Sequence, residues 1–299
     1  MPEILTRAPM PPTGEPAPRL TRLGDLLGAW EADARAAHRA RASGVPRGPV
    51  TGLAGLDLEL GGALEPGVHV VHAGPGVGKT ALCLQAATSC GCPSLYVTCE
   101  MTPLELLRRI TARLTGTFLG RLKSGELAPA DSLRLAHRAV AAAPLVAIAD
   151  ATEAFAEASW IRAAAEVARG DAGHLLVVVD SVHSWAEGFP GEVAEYDRLN
   201  LAIAALRSLA GGLGCPVLAV AERNRASMAT GGMNAAAGSR RFEYSGASVW
   251  DLATGKDAHP DAEGAIPVTL TLAKNRSGAA GRCLHLKFHG ALQRFVEAG

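Results

Sequence analysis

A chain of 299 residues with 48% hydrophobic content is long enough to bury one large α/β core or two small ones. Its 29 Lys and Arg balance 29 Asp and Glu, which excludes a bulk polyanion-binding surface and leaves only local basic patches for anionic partners. The N-terminus lacks an apolar signal core and no apolar run reaches the length of a membrane span, so a cytoplasmic protein without membrane contact is expected. The six cysteines, Cys83, Cys90, Cys92, Cys99, Cys215 and Cys283, lie in or beside apolar stretches with no Cys-x-x-Cys spacing. They read as reduced packing residues.

Residues 1–19, "MPEILTRAPMPPTGEPAPR", are rich in proline and poor in periodic apolar positions, which predicts a disordered lead-in. Over 20–44, Leu20, Leu23, Leu26, Leu27 and Trp30 recur at helical spacing before the sequence turns polar. That apolar helix face needs a cover, either the chain's own domain or a neighbouring subunit.

From 45 to 299 the pattern becomes strand, loop, helix, and it repeats. Buried strands are expected at Val68–His72, Ser94–Cys99, Leu145–Ala149, Leu175–Val179 and Val217–Ala221, with helical stretches between most of them. The alternation predicts an α/β fold with a mostly parallel sheet flanked by helices. Thr102, Pro103 and Glu105 carry the signature of a capping box at a helix start. Val268–Leu272 and Cys283–Phe288 alternate strictly and read as a C-terminal antiparallel hairpin. The turn between them, "LAKNRSGAAGR", carries Lys274 and Arg276.

The chemistry begins at "VHVVHAGPGVGKTAL". Ala73, Gly74, Pro75, Gly76, Val77, Gly78, Lys79, Thr80 and Ala81 form a phosphate-binding loop (Walker A) between a strand and a helix, with Ala73 where the strict pattern has glycine. Its glycines let backbone N–H groups turn around a triphosphate, the helix adds its positive end, and Lys79 adds a full charge. Thr80 offers a hydroxyl to Mg²⁺. Asp180 ends the aliphatic run "HLLVVVD" at the same sheet edge and is the second expected Mg²⁺ ligand, with Asp150 as a competitor at the end of "LVAIAD". Glu100, at another strand end in "LYVTCEMTP", is the candidate for orienting water.

In order, "TGLAGLDLELGGALEPGVHVVHAGPGVGKTALCLQAA", "LYVTCEMTPLELLRRI", "HLLVVVDS", "GCPVLAVAERNRA" and "LAKNRSGAAG" resemble the RecA-like ATPase domain of DnaB-type replicative helicases. The resemblance runs from about Leu20 to Glu297. It implies an ATP- and Mg²⁺-dependent motor acting on single-stranded DNA as a homo-oligomer, a hexameric ring. It assigns Glu100 as the catalytic glutamate and likens 20–44 to the linker helix that docks on the adjacent subunit. It makes Lys274 and Arg276 the cations that reach the γ-phosphate of ATP bound next door. Arg223, Arg225, Arg240 and Arg241, in "AERNRASMATGGMNAAAGSRRFEY", become candidates for contact with the DNA backbone.

Three departures qualify the resemblance. Glu222 stands where the family has a glutamine sensor, and Ser181, Val182 and His183 replace the usual Tyr-Leu-Gln after Asp180. No segment here resembles the N-terminal helical domain through which replicative helicases contact primase. ATPase activity is thus a firmer expectation than processive unwinding. Two other classes share the ATP chemistry, a RecA- or RadA-like recombination mediator and a KaiC-like regulatory ATPase.

Overall fold

Short aliphatic runs separated by amphipathic helices leave few ways to bury both sheet faces, and the computed structural model shows the layered solution. It describes residues 20–191, 194–222, 246–255 and 258–298. The lead-in 1–19 and the arginines Arg223, Arg225, Arg240 and Arg241 lie outside the described residues. The chain divides into two compact units, 1–47 and 48–299.

In the first unit a 3-10 turn, Leu23–Leu26, runs into helix α1, Leu27–Ser43, which stops at Gly44 in the left-handed conformation (φ 70°). Leu20, Leu23 and Trp30, of the apolar stripe read from the sequence, are 87%, 86% and 77% exposed. Beyond the helix, Arg47 folds back to pair with Asp33 at 2.8 Å.

The second unit begins with α2 (Ala54–Glu59) and β1 (Gly67–Ala73) and continues through α3 (Lys79–Ser89), β2 (Ser94–Thr98), α4 (Pro103–Thr115), α5 (Leu119–Lys123) and α6 (Pro129–Ala142). It then runs through β3 (Val146–Asp150), α7 (Ala158–Arg169), β4 (Leu176–Asp180), α8 (Val182–Glu187), α9 (Glu195–Leu213) and β5 (Pro216–Glu222). Four further strands, β6 (Ser248–Thr254), β7 (Ala265–Asn275), β8 (Arg282–His289) and β9 (Arg294–Glu297), end the chain. Together they form one sheet in the order β3-β2-β4-β5-β1-β6-β7-β8-β9. Pairing is parallel from β3 through β6 and antiparallel from β6 to β9.

Both sheet faces are covered. On one, Val71, Leu82, Leu84, Tyr96, Leu106, Val178, Trp250 and Leu270 form a core. On the other, Val70, Val97, Ile161, Val177, Trp185, Leu206 and Val217 form a second. Such a two-faced sheet explains why its strands read as unbroken aliphatic runs. The sequence reading missed β6, where Asp251 interrupts the apolar run, and β9, which is only 4 residues long with a charge at each end. The hairpin expected at the end is therefore the middle of a four-stranded antiparallel extension.

The start of α4 matches the expected cap only in half. Thr102 Oγ1 accepts the Glu105 N–H at 3.3 Å with Pro103 at the first helical position, but the Glu105 carboxylate pairs with Lys123 at 3.1 Å. Further along α4, Arg113 donates to Thr88 (2.7 Å) and Ser89 (2.8 Å) and fastens the helix to the end of α3.

A polar relay crosses the sheet beside β1. Trp250 Nε1 donates to Ser248 Oγ (2.7 Å), Ser248 donates to His69 Nδ1 (2.7 Å), and His69 Nε2 donates to the Glu65 carbonyl (2.8 Å). Burial pushes the His69 pKa down to about 4, so the imidazole is neutral, and because the Glu65 carbonyl can only accept, Nε2 carries the proton and Nδ1 accepts from Ser248. An unfolded histidine titrates near 6.5, so this stabilisation is complete above that pH and is lost as pH falls toward 4. Urea denaturation should show the protein about 2 kcal/mol less stable at pH 5 than at pH 7 from this group. A His69→Gln variant should lose that part of the slope.

Candidate active site

The loop between β1 and α3 is shaped by two glycines. Gly76 and Gly78 have φ of 76° and 107°, in the left-handed region that other residues avoid. Gly78 is further constrained by packing, because a Cβ there would lie 2.8 Å from Phe295 Cζ and 3.0 Å from the Phe288 ring. Those two rings stack with centroids 4.5 Å apart. Lys79, the first residue of α3, donates from Nζ to the carbonyls of Ala73 (3.0 Å) and Gly74 (3.3 Å).

The other predicted residues reach the loop through strand register. Thr98 pairs with Asp180, and Ala73 pairs with Glu222, so four strand ends line up along one edge. Asp180 is 6% exposed and its Oδ2 accepts the Tyr96 hydroxyl at 2.6 Å. Burial raises its pKa, Tyr96 and Thr80 hydrogen bonds oppose the rise, Glu100 adds to it and Lys79 opposes it. Thr80 and Asp180 therefore face each other, a hydroxyl beside a carboxylate. Among the described residues no cluster of three or more His, Cys, Asp or Glu forms a metal cage. One carboxylate and one hydroxyl is the sparse donor set that suits Mg²⁺ held partly by phosphates.

Glu100 stands just beyond β2, where its Oε1 accepts the hydroxyls of Ser181 and Ser184, the latter at 2.8 Å. At the end of β5 the Glu222 N–H donates to His183 Nδ1 at 3.2 Å. Burial lowers the His183 pKa, opposed by Glu222, Glu195 and Glu100, with Lys79 reinforcing the fall. Asp150 is separate: exposed at the end of edge strand β3, it accepts Thr152 N–H (3.0 Å) and Oγ1 (2.6 Å), which lowers its pKa.

Pro75, Gly76, Gly78, Lys79, Thr80, Ala81, Glu100, Asp180 and Glu222 all line one cleft of about 410 Å³. Arg109, Phe288 and Gln293 line it too, and the sequence reading missed them. Arg109 of α4 donates to Gln293 Oε1 at 2.5 Å and pairs with Glu105 at 3.5 Å. Gln293 is a non-glycine residue with φ of 52°, and its Nε2 donates to the Gly290 carbonyl at 2.5 Å. The one available signal for Arg109 was its place on the helix that starts just after Glu100. Nothing local marks Gln293 or Phe288, which arrive from the far end of the chain.

Lys274 and Arg276 lie elsewhere. The β6–β7 register shifts between Val249 and Trp250, so Ala273 is an extra residue and Lys274 pairs with Val249. The bulge moves Lys274 off the face of Leu272 to the opposite one, beside α9. There burial first, then Arg276 and Arg207, lower its pKa. The Arg276 N–H donates to the Ala247 carbonyl at 2.9 Å, whereas Ala73 pairs with Leu252. The strand between 247 and 252 spans about 17 Å at ~3.3 Å per residue. Both cations thus sit at the sheet edge opposite the phosphate-binding loop of their own chain. Asn275, between them, donates to the Glu59 carbonyl at 2.7 Å and anchors the turn, and Arg282 pairs with Glu59 at 2.8 Å.

The model of the DnaB-like helicase C-terminal domain family matches residues 48–297. The replicative DNA helicase DnaB of Treponema pallidum (strain Nichols) is 28% identical over 255 residues, 83% of this chain and 56% of that protein. This chain thus spans about half the length of the curated relative it matches. Among solved structures, a DnaB-like replicative helicase described with its interactions with primase superposes at TM-score 0.76 and 17% identity, over 92% of this chain and 68% of that one. A second solved structure, an isolated ATPase domain, gives TM-score 0.76 and 16% identity over 92% of this chain and 99% of its own. A RadB recombinase (TM-score 0.52, 18% identity, 84% and 99% covered) and a KaiC-like protein of Pyrococcus horikoshii OT3 (0.53, 17%, 84% and 99%) are looser matches. The fold is the RecA-like one of DnaB ATPase domains, and the chain belongs to the DnaB-like helicase C-terminal domain family.

Proposed function

We propose that this chain hydrolyses ATP with Mg²⁺ as a subunit of a homo-hexameric ring that acts on single-stranded DNA in the cytoplasm. What carries the reading is the convergence of Lys79, Thr80, Asp180 and Glu100 on one cleft, while Lys274 and Arg276 stand at the opposite sheet edge. A cation at that edge is too far from its own phosphate-binding loop to serve it, which supports a role toward the loop of a neighbouring subunit.

Lys79 and the loop N–H groups bind the phosphates, and Glu100 orients water toward the γ-phosphorus. Thr80 and Asp180 are the residues that would hold Mg²⁺, whose chemistry there is neutralisation of phosphate charge. Lys274 and Arg276 supply cationic charge in trans as the γ-phosphoryl group departs. The exposed stripe of Leu20, Leu23 and Trp30 suits docking on the adjacent subunit, as a linker helix does. By sequence, Arg223, Arg225, Arg240 and Arg241 are the candidates for DNA phosphate contact.

A second reading, a RecA- or RadA-like mediator or a KaiC-like regulator, is favoured by Glu222 and by the Ser181–Val182–His183 run, which depart from the helicase pattern. Forked-duplex unwinding with ATP, run beside measurement of oligomeric state, separates the readings. Strand separation supports the helicase. Salt-dependent single-stranded DNA binding without separation supports the mediator, and neither supports the regulator.

A Lys79→Ala variant should lose at least about a hundredfold of ATP turnover, measured by phosphate release. Mixing tests the trans cations: Arg276→Ala and Lys79→Ala subunits, each inactive, should recover turnover together, because some interfaces then unite an intact loop with an intact cation. Failure to recover in assemblies shown to be mixed would remove Arg276 from the site.

A further inference from the structure

Glu100 is exposed just past a strand end, and a free glutamate there samples many side-chain rotamers. Register decides what it meets. The Cys99 N–H donates to the Asp180 carbonyl at 2.8 Å, so the chain leaving β2 runs beside the chain leaving β4. Ser181 Oγ and Ser184 Oγ then both donate to Glu100 Oε1. The two hydroxyl oxygens are 3.1 Å apart, and the Ser184 N–H donates to Ser181 Oγ at 3.3 Å, which fixes their spacing through the first turn of α8. Both donors use the same carboxylate oxygen, leaving Oε2 as the acceptor for a water.

Ser184 approaches from behind the site. It lines a second hollow of about 300 Å³, formed with Cys99, Thr152, Phe155 and Trp185, and is not among the residues lining the nucleotide cleft. It therefore reaches the reaction through the two cleft-lining residues it touches, Glu100 and Ser181.

We propose that Ser184, with Ser181, is a positioning residue that clamps Glu100 Oε1 and so holds the carboxylate in the orientation that directs water at the nucleotide. The inference rests on the reading of Glu100 as the water-orienting group. Removing one charge-assisted donor frees the side chain to rotate without touching the phosphate-binding loop or the Mg²⁺ residues.

The test measures kcat and KM for ATP, and nucleotide Kd, in Ser184→Ala, Ser184→Thr, Glu100→Gln and the Ser184→Ala/Glu100→Gln double variant. Ser184→Ala should lower kcat about tenfold with KM and Kd within about twofold of wild type. Ser184→Thr, which keeps the hydroxyl, should recover most of kcat. In the Glu100→Gln background the alanine change should have no further effect on the residual rate, because the group it positions is gone. Unchanged kcat in Ser184→Ala would overturn the proposal, as would an equal fall in the Glu100→Gln background or no rescue by threonine. Wild-type turnover in Glu100→Gln itself would instead overturn the role of Glu100, so the two failures are distinguishable.

Discussion

The buried carboxylate of Asp180 is the constraint around which the site is arranged. A carboxyl group at 6% exposure costs free energy unless donors surround it, and the parallel sheet supplies them from two directions. Tyr96 comes from the adjacent strand β2, buried to its hydroxyl, and Thr80 comes from the first turn of α3. Satisfying Asp180 therefore locks β2, β4 and the phosphate-binding loop into one relative position. The register that pairs Thr98 with Asp180 follows, and with it the meeting of Glu100 and Ser181 one step beyond.

The antiparallel extension does more than lengthen the sheet. Phe288 and Phe295 stack over Gly78, and the Gln85 side chain both receives the Phe295 N–H (2.9 Å) and donates to its carbonyl (3.1 Å). The last strands thereby become a wall of the cleft and press on the loop glycine that must lack a side chain. Gln293, held in a left-handed conformation by its own turn, carries Arg109 to the same wall. The far end of the β7–β8 hairpin bears Lys274 and Arg276. The β7–β8 hairpin thus contributes Phe288 to the cleft of its own chain and carries its cations at the far edge.

Helix α8 joins two functional positions within four residues. Ser181 and Ser184 hold Glu100, while His183, between them, accepts the backbone N–H of Glu222. The places where the sequence departs from the DnaB-type pattern, Ser181–His183 and Glu222, are therefore in contact with one another or with Glu100. They form a connected set of residues beside the cleft, next to the Gly76–Thr80 loop and Asp180.

The parallel part of the fold is written locally in the chain, because aliphatic runs buried on two faces and glycines needing positive φ leave an imprint within a few residues. Lys79, Thr80, Asp180 and Glu100 were legible for the same reason: each stands at a strand end or helix start, which periodicity marks. The expected hairpin was legible as alternation, but Asp251 interrupts the flanking strand β6 and β9 has only 4 residues, so neither registered. Only the folded arrangement brings Phe288, Gln293 and Arg109 to the cleft wall, since stacking and hydrogen bonds between residues as far apart as Arg109 and Gln293 leave no trace in spacing. The face on which Lys274 sits is likewise a matter of pairing, because a single extra residue at Ala273 reverses the alternation, and only the match of β7 with β6 reveals the bulge.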